Sequence, residues 1–473
     1  MLQISENEIL SRLCFDNPWW SGEKSLSDDY RPLPKRNYLN AFYELVAQTE
    51  INRAVILMGP RRVGKTVMIY HSIHRLLDQG ISPKNILYLS LETPVYTNLS
   101  LEQLLNLYTK RFGHTQSDSL YVFFDEIQYL REWEIHLKSL VDSHPRWRFV
   151  ATGSAAAALK LKTVESGAGR FTDFMLPPLT FSEYLYFINK EDQLINPHAD
   201  GNDKHYSCED IEALNEEFIN YLNFGGYPEA VFSRSIQADT GRYIKADIID
   251  KVLSRDLPSL YGISDVRELN VLFTTLAYNT GNEVNLEGLA KASGVAKNTL
   301  RKYLDYLEAA FLIRRVYRID QNARHFKRVT YFKVYITNPT MRTALFGPVD
   351  AEHEAMGALT ETAIFSQWLH STRFIEQIYY ARWGSGKEID IVGVDKLKQK
   401  AVWATEVKWS DRYYSSPSEL KALLEFMGNH KLVRPPLVTT RSKDGKKVIK
   451  DKEIEFSPAS LHCYTIGKNV LRI

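Results

Sequence analysis

Apolar positions in the first 190 residues follow two alternating patterns. Short, unbroken apolar runs stand at 53–58 (RAVILM), 86–92 (ILYLSLE), 120–126 (LYVFFDE) and 148–154 (RFVATGS). Between them, 67–79, 102–112 (EQLLNLYTKRF) and 132–143 (EWEIHLKSLVDS) space their apolar residues at helical intervals. The unbroken runs predict strands buried on both faces, and the intervening helices predict a parallel sheet. This region is expected to end near residue 190, after LPPLTFSEYLYFI. The polar stretch 190–208, with Pro197, Gly201 and Asn202, predicts a loop or linker. From 209 to about 311 the pattern is helical, and strands return from 375 as IYYARW, EIDIVGV and AVWATEVKW. No repeat period and no low-complexity tract interrupts the chain.

Composition narrows the class. The 473 residues suit about three domains at roughly 150 residues each. Lys plus Arg total 59 and Asp plus Glu total 57, so neither a polycation nor an acidic tail protein is described, although a local patch is still allowed. Cys14, Cys208 and Cys463 are too scattered for a disulfide framework or a zinc cluster. The start, MLQISENEIL, lacks the apolar core of a signal peptide, and the longest apolar runs are strand-sized. A soluble, cytoplasmic protein with no membrane partner is the expectation.

The clearest chemical motif is GPRRVGKT: Gly59, Pro60, Arg61, Arg62, Val63, Gly64, Lys65 and Thr66. A strand precedes it and a helix follows, as a phosphate-binding turn requires. Backbone N–H groups would enclose the β-phosphate of ATP, Lys65 would supply positive charge and Thr66 would place a hydroxyl on Mg2+. Some 60 residues on, Asp125 and Glu126 end the next-but-one strand. Asp125 is expected to order the metal's ligands and Glu126 to polarise a water, an arrangement that favours hydrolysis over phosphate transfer to a small molecule. The fourth strand ends in Thr152, Gly153 and Ser154. Ser154 is expected to sense the γ-phosphate, with a plain strand-to-loop turn as the alternative. Arg170 either reaches a phosphate, in its own subunit or a neighbour's, or serves as a surface ion-pair partner. Trp19, Trp20 and Tyr30 either stack on adenine or dock on the domain core, and docking is favoured. His71 and His74 lack companions at metal spacing and read as surface or packing residues.

Residues 283–318 combine two helical faces, a glycine at their junction (Gly294) and a β-rich tail, FLIRRVYRI. That is the pattern of a winged helix-turn-helix. Its second helix would present Lys297, Asn298, Arg301 and Lys302. Residues 291–330 carry ten Lys or Arg against three Asp or Glu. DNA contact is the preferred reading. A packing or assembly module is the alternative.

Near the C-terminus, Glu361 falls in the helical run GALTETAIFSQWL, Asp390 in EIDIV, and Glu406 and Lys408 in WATEVKW. Positions i and i+2 of a strand share a face, so Glu406 and Lys408 point together. The connection 395–400 (DKLKQK) would set the two strands side by side, bringing Asp390 to Glu406.

Two resemblances follow from these motifs. GPRRVGKT, FFDEIQYL, ATGS and GR…LPPLTFSEYL, in this order over about 35–190, resemble the prokaryotic AAA-type ATPases of the STAND-like and archaeal-ATPase branch. Helix Glu, strand Asp and strand E-x-K resemble the PD-(D/E)-x-K restriction-endonuclease-like fold. In that fold the acids hold Mg2+ or Mn2+ and the lysine steadies the attacking water and phosphate charge. The whole order is similar to ATPases with a C-terminal domain of unknown function that contains such a module. Members of that family often carry Asp where this chain has Asn338.

The resemblance implies an α/β chain in three parts: an AAA-type ATPase domain over 1–190, a helical winged-helix region over 209–345 and a nuclease-like domain over 346–473. Catalytic roles are expected for Asp125, Glu126, Glu361, Asp390, Glu406 and Lys408. Metal contact is expected at Thr66, Asp125, Asp390 and Glu406. The expected function is ATP hydrolysis that gates metal-dependent cleavage of DNA. A nucleotide-switched DNA- or protein-binding ATPase with an inactive nuclease-like domain is the first rival, and a P-loop kinase or transferase the second. AAA-type ATPases are often rings, which leans towards a homo-oligomer.

Overall fold

The structure is a computed structural model that describes residues 5–22, 29–96, 99–153, 169–197, 205–320, 331–384 and 386–471. The chain divides into two compact units, Met1–Leu176 and Pro177–Ile473.

In the first unit, strands β1 (Ala54–Met58), β2 (Ile86–Ser90), β3 (Tyr121–Asp125), β4 (Arg148–Gly153) and β5 (Phe171–Met175) form one sheet in the order β2-β3-β4-β1-β5. Every pair is parallel. The first four strands are buried at all positions but Ser90, which explains their lack of alternation. The fifth strand, FTDFM, is half-exposed along the edge. Its Thr172 and Asp173 conceal it from an apolar pattern. Because all strands run the same way, Met58, Asp125 and Gly153 end at one edge of the sheet, where ligands of such sheets bind. The N-terminal aromatics dock on the core. Trp19 and Trp20 both donate their indole N–H to the Ile86 carbonyl, at 3.1 and 2.9 Å, and Tyr30 stacks on Tyr70.

In the second unit, the expected linker at 190–208 holds more structure than its polarity suggests. A short helix, Glu191–Leu194, leads to a two-stranded pair, β6 (Asn196–Pro197) and β7 (Tyr206–Ser207). Tyr206 anchors it by packing edge-on against Tyr464 at 5.1 Å. Helices Ile211–Phe224 and Val266–Tyr278 bracket shorter ones and a wide π-type stretch, Gly241–Asp250. Then come β8 (Glu283–Asn285), helices Leu286–Ser293 and Lys297–Ala309, β9 (Ile313–Ile319) and β10 (Tyr331–Ile336). The remaining strands are β11 (Ile378–Trp383), β12 (Lys387–Asp395), β13 (Lys400–Glu406), β14 (Leu437–Thr440), β15 (Gly445–Ile449) and β16 (Lys452–Pro458).

Nine of these strands form one mixed sheet, in the order β15-β16-β14-β13-β12-β11-β9-β10-β8. A short parallel pairing, Tyr380 with Arg318 and Ala381 with Ile319, joins the β8–β10 part to the rest. Residues 209–345 and 346–473 therefore share a sheet. Helices Met356–Gln367 and Ala459–Val470 cover one face with Leu359, Ala363, Ile364, Cys463 and Ile466. Helix Lys421–Asn429 covers the other with Leu423 and Phe426. Each fully buried leucine, isoleucine or phenylalanine among them contributes about 1.5–3 kcal/mol.

Asn338 has a structural place. It is 1% exposed, its Oδ1 accepts from the Thr340 N–H at 2.9 Å, and a Cβ on Gly226 would lie 2.1 Å from that oxygen. Gly226 also donates its N–H to Thr340 Oγ1 at 3.1 Å. Gly226→Ala should therefore destabilise the second unit by about 1–3 kcal/mol, as overpacking does, measured by urea unfolding. Unchanged stability would contradict this packing.

Candidate functional site

The phosphate turn joins β1 to the helix Lys65–Asp78. Arg62 and Gly64 take positive φ, +65° and +93°, which bends the chain back on itself. Gly59 is required by space, because a Cβ there would stand 2.2 Å from the Leu176 carbonyl oxygen. Lys65 is 5% exposed, and its ammonium donates to the carbonyls of Gly59 at 3.2 Å and Pro60 at 2.8 Å. Arg36 braces the turn from outside by donating to the Val63 carbonyl at 2.8 Å.

Asp125 sits at the centre of a hydroxyl cage. Thr66 Oγ1 donates to its Oδ2 at 2.8 Å, Tyr88 Oη to the same oxygen at 2.9 Å, and Thr152 Oγ1 to its Oδ1. Thr152 comes from β4, the strand between β3 and β1, and also accepts the Glu126 N–H at 3.0 Å. One side chain thereby ties both acids to the strand beside them. Burial lifts the Asp125 carboxyl above its ordinary range, neighbouring Glu126 adds to this, and the three hydroxyls partly offset it. Glu126 has φ +56°, and its carboxylate accepts from Gln128.

Of the other phosphate-site expectations, Ser154 lies outside the described residues. Arg170 is placed away from the turn. Its carbonyl accepts from Ala54 at the start of β1, the opposite end of the strand from Gly59, and its guanidinium pairs with Asp142. Within this chain it is the ion-pair partner, and it does not join the phosphate turn. His71 and His74 are buried packing residues, and His71 Nε2 contacts the Tyr30 carbonyl at 2.8 Å.

The second unit gathers a denser set of charges. Lys408 Nζ lies 2.8 Å from Glu406 Oε1 and 3.3 Å from Asp390 Oδ2. Asp390 Oδ2 also accepts the Val407 N–H at 2.8 Å. The β12–β13 hairpin sets this register by pairing Ile391 with Thr405. Glu361 is reached differently. Its Oε1 accepts from Tyr335 Oη at 2.5 Å and from Lys333 Nζ at 2.8 Å. Lys333 also stands 2.6 Å from Glu388 and 3.7 Å from Asp390. The four expected residues thus meet, but Glu361 meets the others through a lysine that the motif does not include. That lysine, like Tyr88 of the first unit, was not singled out from sequence. Its signal is a lone ammonium inside the apolar strand YFKVYI, since a lysine almost never goes inside unless paired.

Burial dominates the titration of these groups. It lifts Glu361 to about 7, with Asp390 adding and Lys333 opposing. It lifts Glu406 to about 8, again with Asp390 adding and Lys408 opposing. Burial would also raise Asp390, but Lys408, Lys333 and the Val407 N–H outweigh it, so this acid stays below its ordinary value. Burial likewise disfavours both ammonium groups, yet the surrounding carboxylates hold Lys333 and Lys408 above the usual lysine range.

Glu406 Oε2 is buried and has no hydrogen-bond partner among the protein groups, so a cation or a water would satisfy it. Among the described residues no group of three His, Cys, Asp or Glu side chains is placed to share a metal ion. A hard ion here would rest on two carboxylates, Asp390 and Glu406, with water completing its shell, as Mg2+ commonly does. In the first unit the Thr66 hydroxyl and the Asp125 carboxylate are the oxygen ligands that could hold Mg2+.

Lys297, Asn298, Arg301 and Lys302 are all exposed on the helix Lys297–Ala309, whose Leu300, Tyr303, Leu304 and Leu307 face inward. Part of the local basic excess is already neutralised. Arg315 pairs with Asp305 and Glu308, and Arg318 lies 3.8 Å from Glu283. No helix among the described residues is long and apolar enough to cross a membrane.

Residues 51–185 match the sequence model of a family described as an AAA domain. This stretch is therefore similar to AAA domains. Residues 215–352 match a family described as a domain of unknown function. Among curated proteins, an uncharacterized protein of Methanocaldococcus jannaschii is 27% identical over 60% of this chain and 61% of its own length. The match therefore spans less than two thirds of that relative. An uncharacterized protein of Haemophilus influenzae is 25% identical over 68% of this chain and 75% of its own. A second M. jannaschii protein, also uncharacterized, is 23% identical over 86% and 87%. Among solved structures, a Walker-type ATPase of Pyrococcus abyssi aligns with 66% of this chain and 95% of its own, at 16% identity and a TM-score of 0.40. An S. cerevisiae Hsp104–casein complex aligns over 66% and 55%, at 15% identity and a TM-score of 0.32.

The raised Glu406 pKa fixes a sign. The ordinary value is near 4.5, so the fold favours the protonated acid, and this stability is lost as pH climbs towards and through about 8. In metal-free buffer, Glu406→Gln should therefore gain melting temperature relative to the unsubstituted chain between pH 6 and pH 9. A difference that is constant with pH would contradict the burial argument.

Proposed function

We propose that this chain is an ATP-hydrolysing, DNA-associated protein in which nucleotide state controls a metal-dependent phosphodiester-cleaving centre. The observation that carries the second half is the buried grouping of Asp390, Glu406 and Lys408, with one Glu406 oxygen left unpartnered.

At the phosphate turn, the loop N–H groups and Lys65 would hold the ATP phosphates. Thr66 and Asp125 would hold Mg2+, and Glu126 would orient the attacking water. Thr152 keeps Asp125 and Glu126 in fixed relation, so a change at the phosphates is felt by both acids. Support for this half is the AAA-domain match over 51–185 together with the hydroxyl cage around Asp125.

At the second centre, Asp390 and Glu406 would hold Mg2+ or Mn2+. When bound, that ion supplies positive charge to a scissile phosphate and favours a hydroxide nucleophile. Lys408 stands against both acids and would offset negative charge that builds on the phosphate. The elements from Val266 to Ile336, three helices and a three-stranded antiparallel sheet, follow the order of a winged helix. The exposed Lys297, Asn298, Arg301 and Lys302 would contact the DNA backbone or groove.

Lys65→Ala and Asp125→Ala should each reduce release of free phosphate from ATP by at least tenfold, measured by a phosphate assay. Turnover unchanged in both would remove the ATPase half. Plasmid and single-stranded DNA should be cut in Mg2+ or Mn2+, and Asp390→Ala and Lys408→Ala should abolish the cutting. Absence of cutting by the unsubstituted chain, with ATP turnover intact, would favour a nucleotide-switched binding protein.

Combined alanine substitution of Lys297, Arg301 and Lys302 should flatten the salt dependence of DNA affinity. The log–log slope should shrink by about 0.9 for each phosphate that these side chains neutralise. An unchanged slope in a DNA-binding chain would place the DNA on another surface.

A further inference from the structure

Lys333 enters the acid cluster from β10, two strands beyond β11 in the sheet, rather than from the hairpin that carries Asp390 and Glu406. It is 2% exposed, so its charge is withdrawn from water. Its ammonium is within hydrogen-bond distance of Glu361, at 2.8 Å, and Glu388, at 2.6 Å, and it lies 3.7 Å from Asp390. Its Nζ lies over the Tyr380 ring, 5.5 Å from the centroid. Glu361 is held further by Tyr335, which itself stacks on Phe365 at 4.2 Å. Glu388 is also approached by Arg382, at 3.6 Å. Each acid on this side already has a cation or a hydroxyl of the protein's own. On the other side, Lys408 touches Glu406 through Oε1 alone and leaves Oε2 unpartnered.

We propose that Lys333 is a built-in cation that occupies one of two possible cation positions in this centre. It withholds Glu361 and Glu388 from metal coordination, so that the centre takes a single divalent ion, on Asp390 and Glu406. The inference rests on the metal-centre reading above and adds its stoichiometry. The physical ground is that a second divalent ion beside Glu361, Glu388 and Asp390 would have to enter within contact distance of a buried ammonium that cannot retreat into water. Two cations there repel without screening, whereas one ammonium already offsets the acids. Lys333 is thus a positioning residue: it acts through the acids it holds and sets how many ions they accept.

The test is Mn2+ binding to the full, nucleotide-free chain, read from the EPR signal of the free ion. The proteins are the unsubstituted chain, Asp390→Ala, Lys333→Met and the triple variant Lys333→Met/Glu361→Gln/Glu388→Gln. Asp390→Ala gives the background from any other site. Above that background, one ion is expected in the unsubstituted chain, two in Lys333→Met and one again in the triple variant. A single ion in folded Lys333→Met overturns the inference and leaves the centre standing. No Asp390-dependent ion in the unsubstituted chain removes the reading on which the inference rests. If Lys333→Met does not fold, the triple variant decides, because it removes the acids along with their cation. Retention of one ion there, with affinity within about threefold of the unsubstituted chain, supports the role. Loss of that ion would show that Lys333 is needed to form the Asp390–Glu406 site itself, and would overturn the inference.

Discussion

A carboxylate taken out of water must keep a proton, gain hydrogen-bond donors or be paired with a cation, and the chemistry of this chain is organised by that requirement. The first unit meets it with hydroxyls. Asp125 is enclosed by Thr66, Tyr88 and Thr152, a neutral cage of three hydroxyl donors. The second unit meets it with ammonium groups. Lys333 and Lys408 are distributed among Glu361, Glu388, Asp390 and Glu406, and one Glu406 oxygen is left over. Under the function proposed above, a hydroxyl cage would suit a site that exchanges a nucleotide-bound ion. Fixed ammonium groups suit one whose charge must remain balanced with and without an ion.

Both arrangements depend on where strands lie in their sheets. In the first unit β4 separates the strand of Asp125 from the strand of the phosphate turn, and that gap is what Thr152 fills. In the second, the antiparallel β12–β13 pair brings Asp390 to the end of β13, while the continuous sheet carries β10 to the same cluster. The β8–β10 part and the carboxylate centre are accordingly one piece of structure.

Much of the first unit was legible because its physics is local. Buried parallel strands write themselves as AVILM, ILYLS and YVFFD, and the phosphate turn needs glycine at fixed places, for space at Gly59 and for its positive φ at Gly64. The edge strand FTDFM was hidden by its polar residues, and the stretch 190–208 by its composition, since Tyr206 is held there by an aromatic contact 258 positions away in sequence, at Tyr464. The pairing of Glu406 with Lys408 followed from the two-residue period of a strand. Lys333 did not follow from any period. Its partners lie 28 to 57 residues further along the chain, at Glu361, Glu388 and Asp390, and only the folded sheet brings them together. Arg170 shows the converse: its spacing allowed a phosphate contact, but the start of β5 places it at the opposite end of the sheet.

The proposed function requires Asp390 and Glu406 to form a divalent-ion centre in the second unit. The most direct measurement is an anomalous difference map from crystals of the full chain soaked in Mn2+. One peak is expected in contact with carboxylate oxygens of both Asp390 and Glu406, with Lys333 still seated between Glu361 and Glu388. A map with no peak at these two acids, from crystals that bind Mn2+ elsewhere, would contradict it.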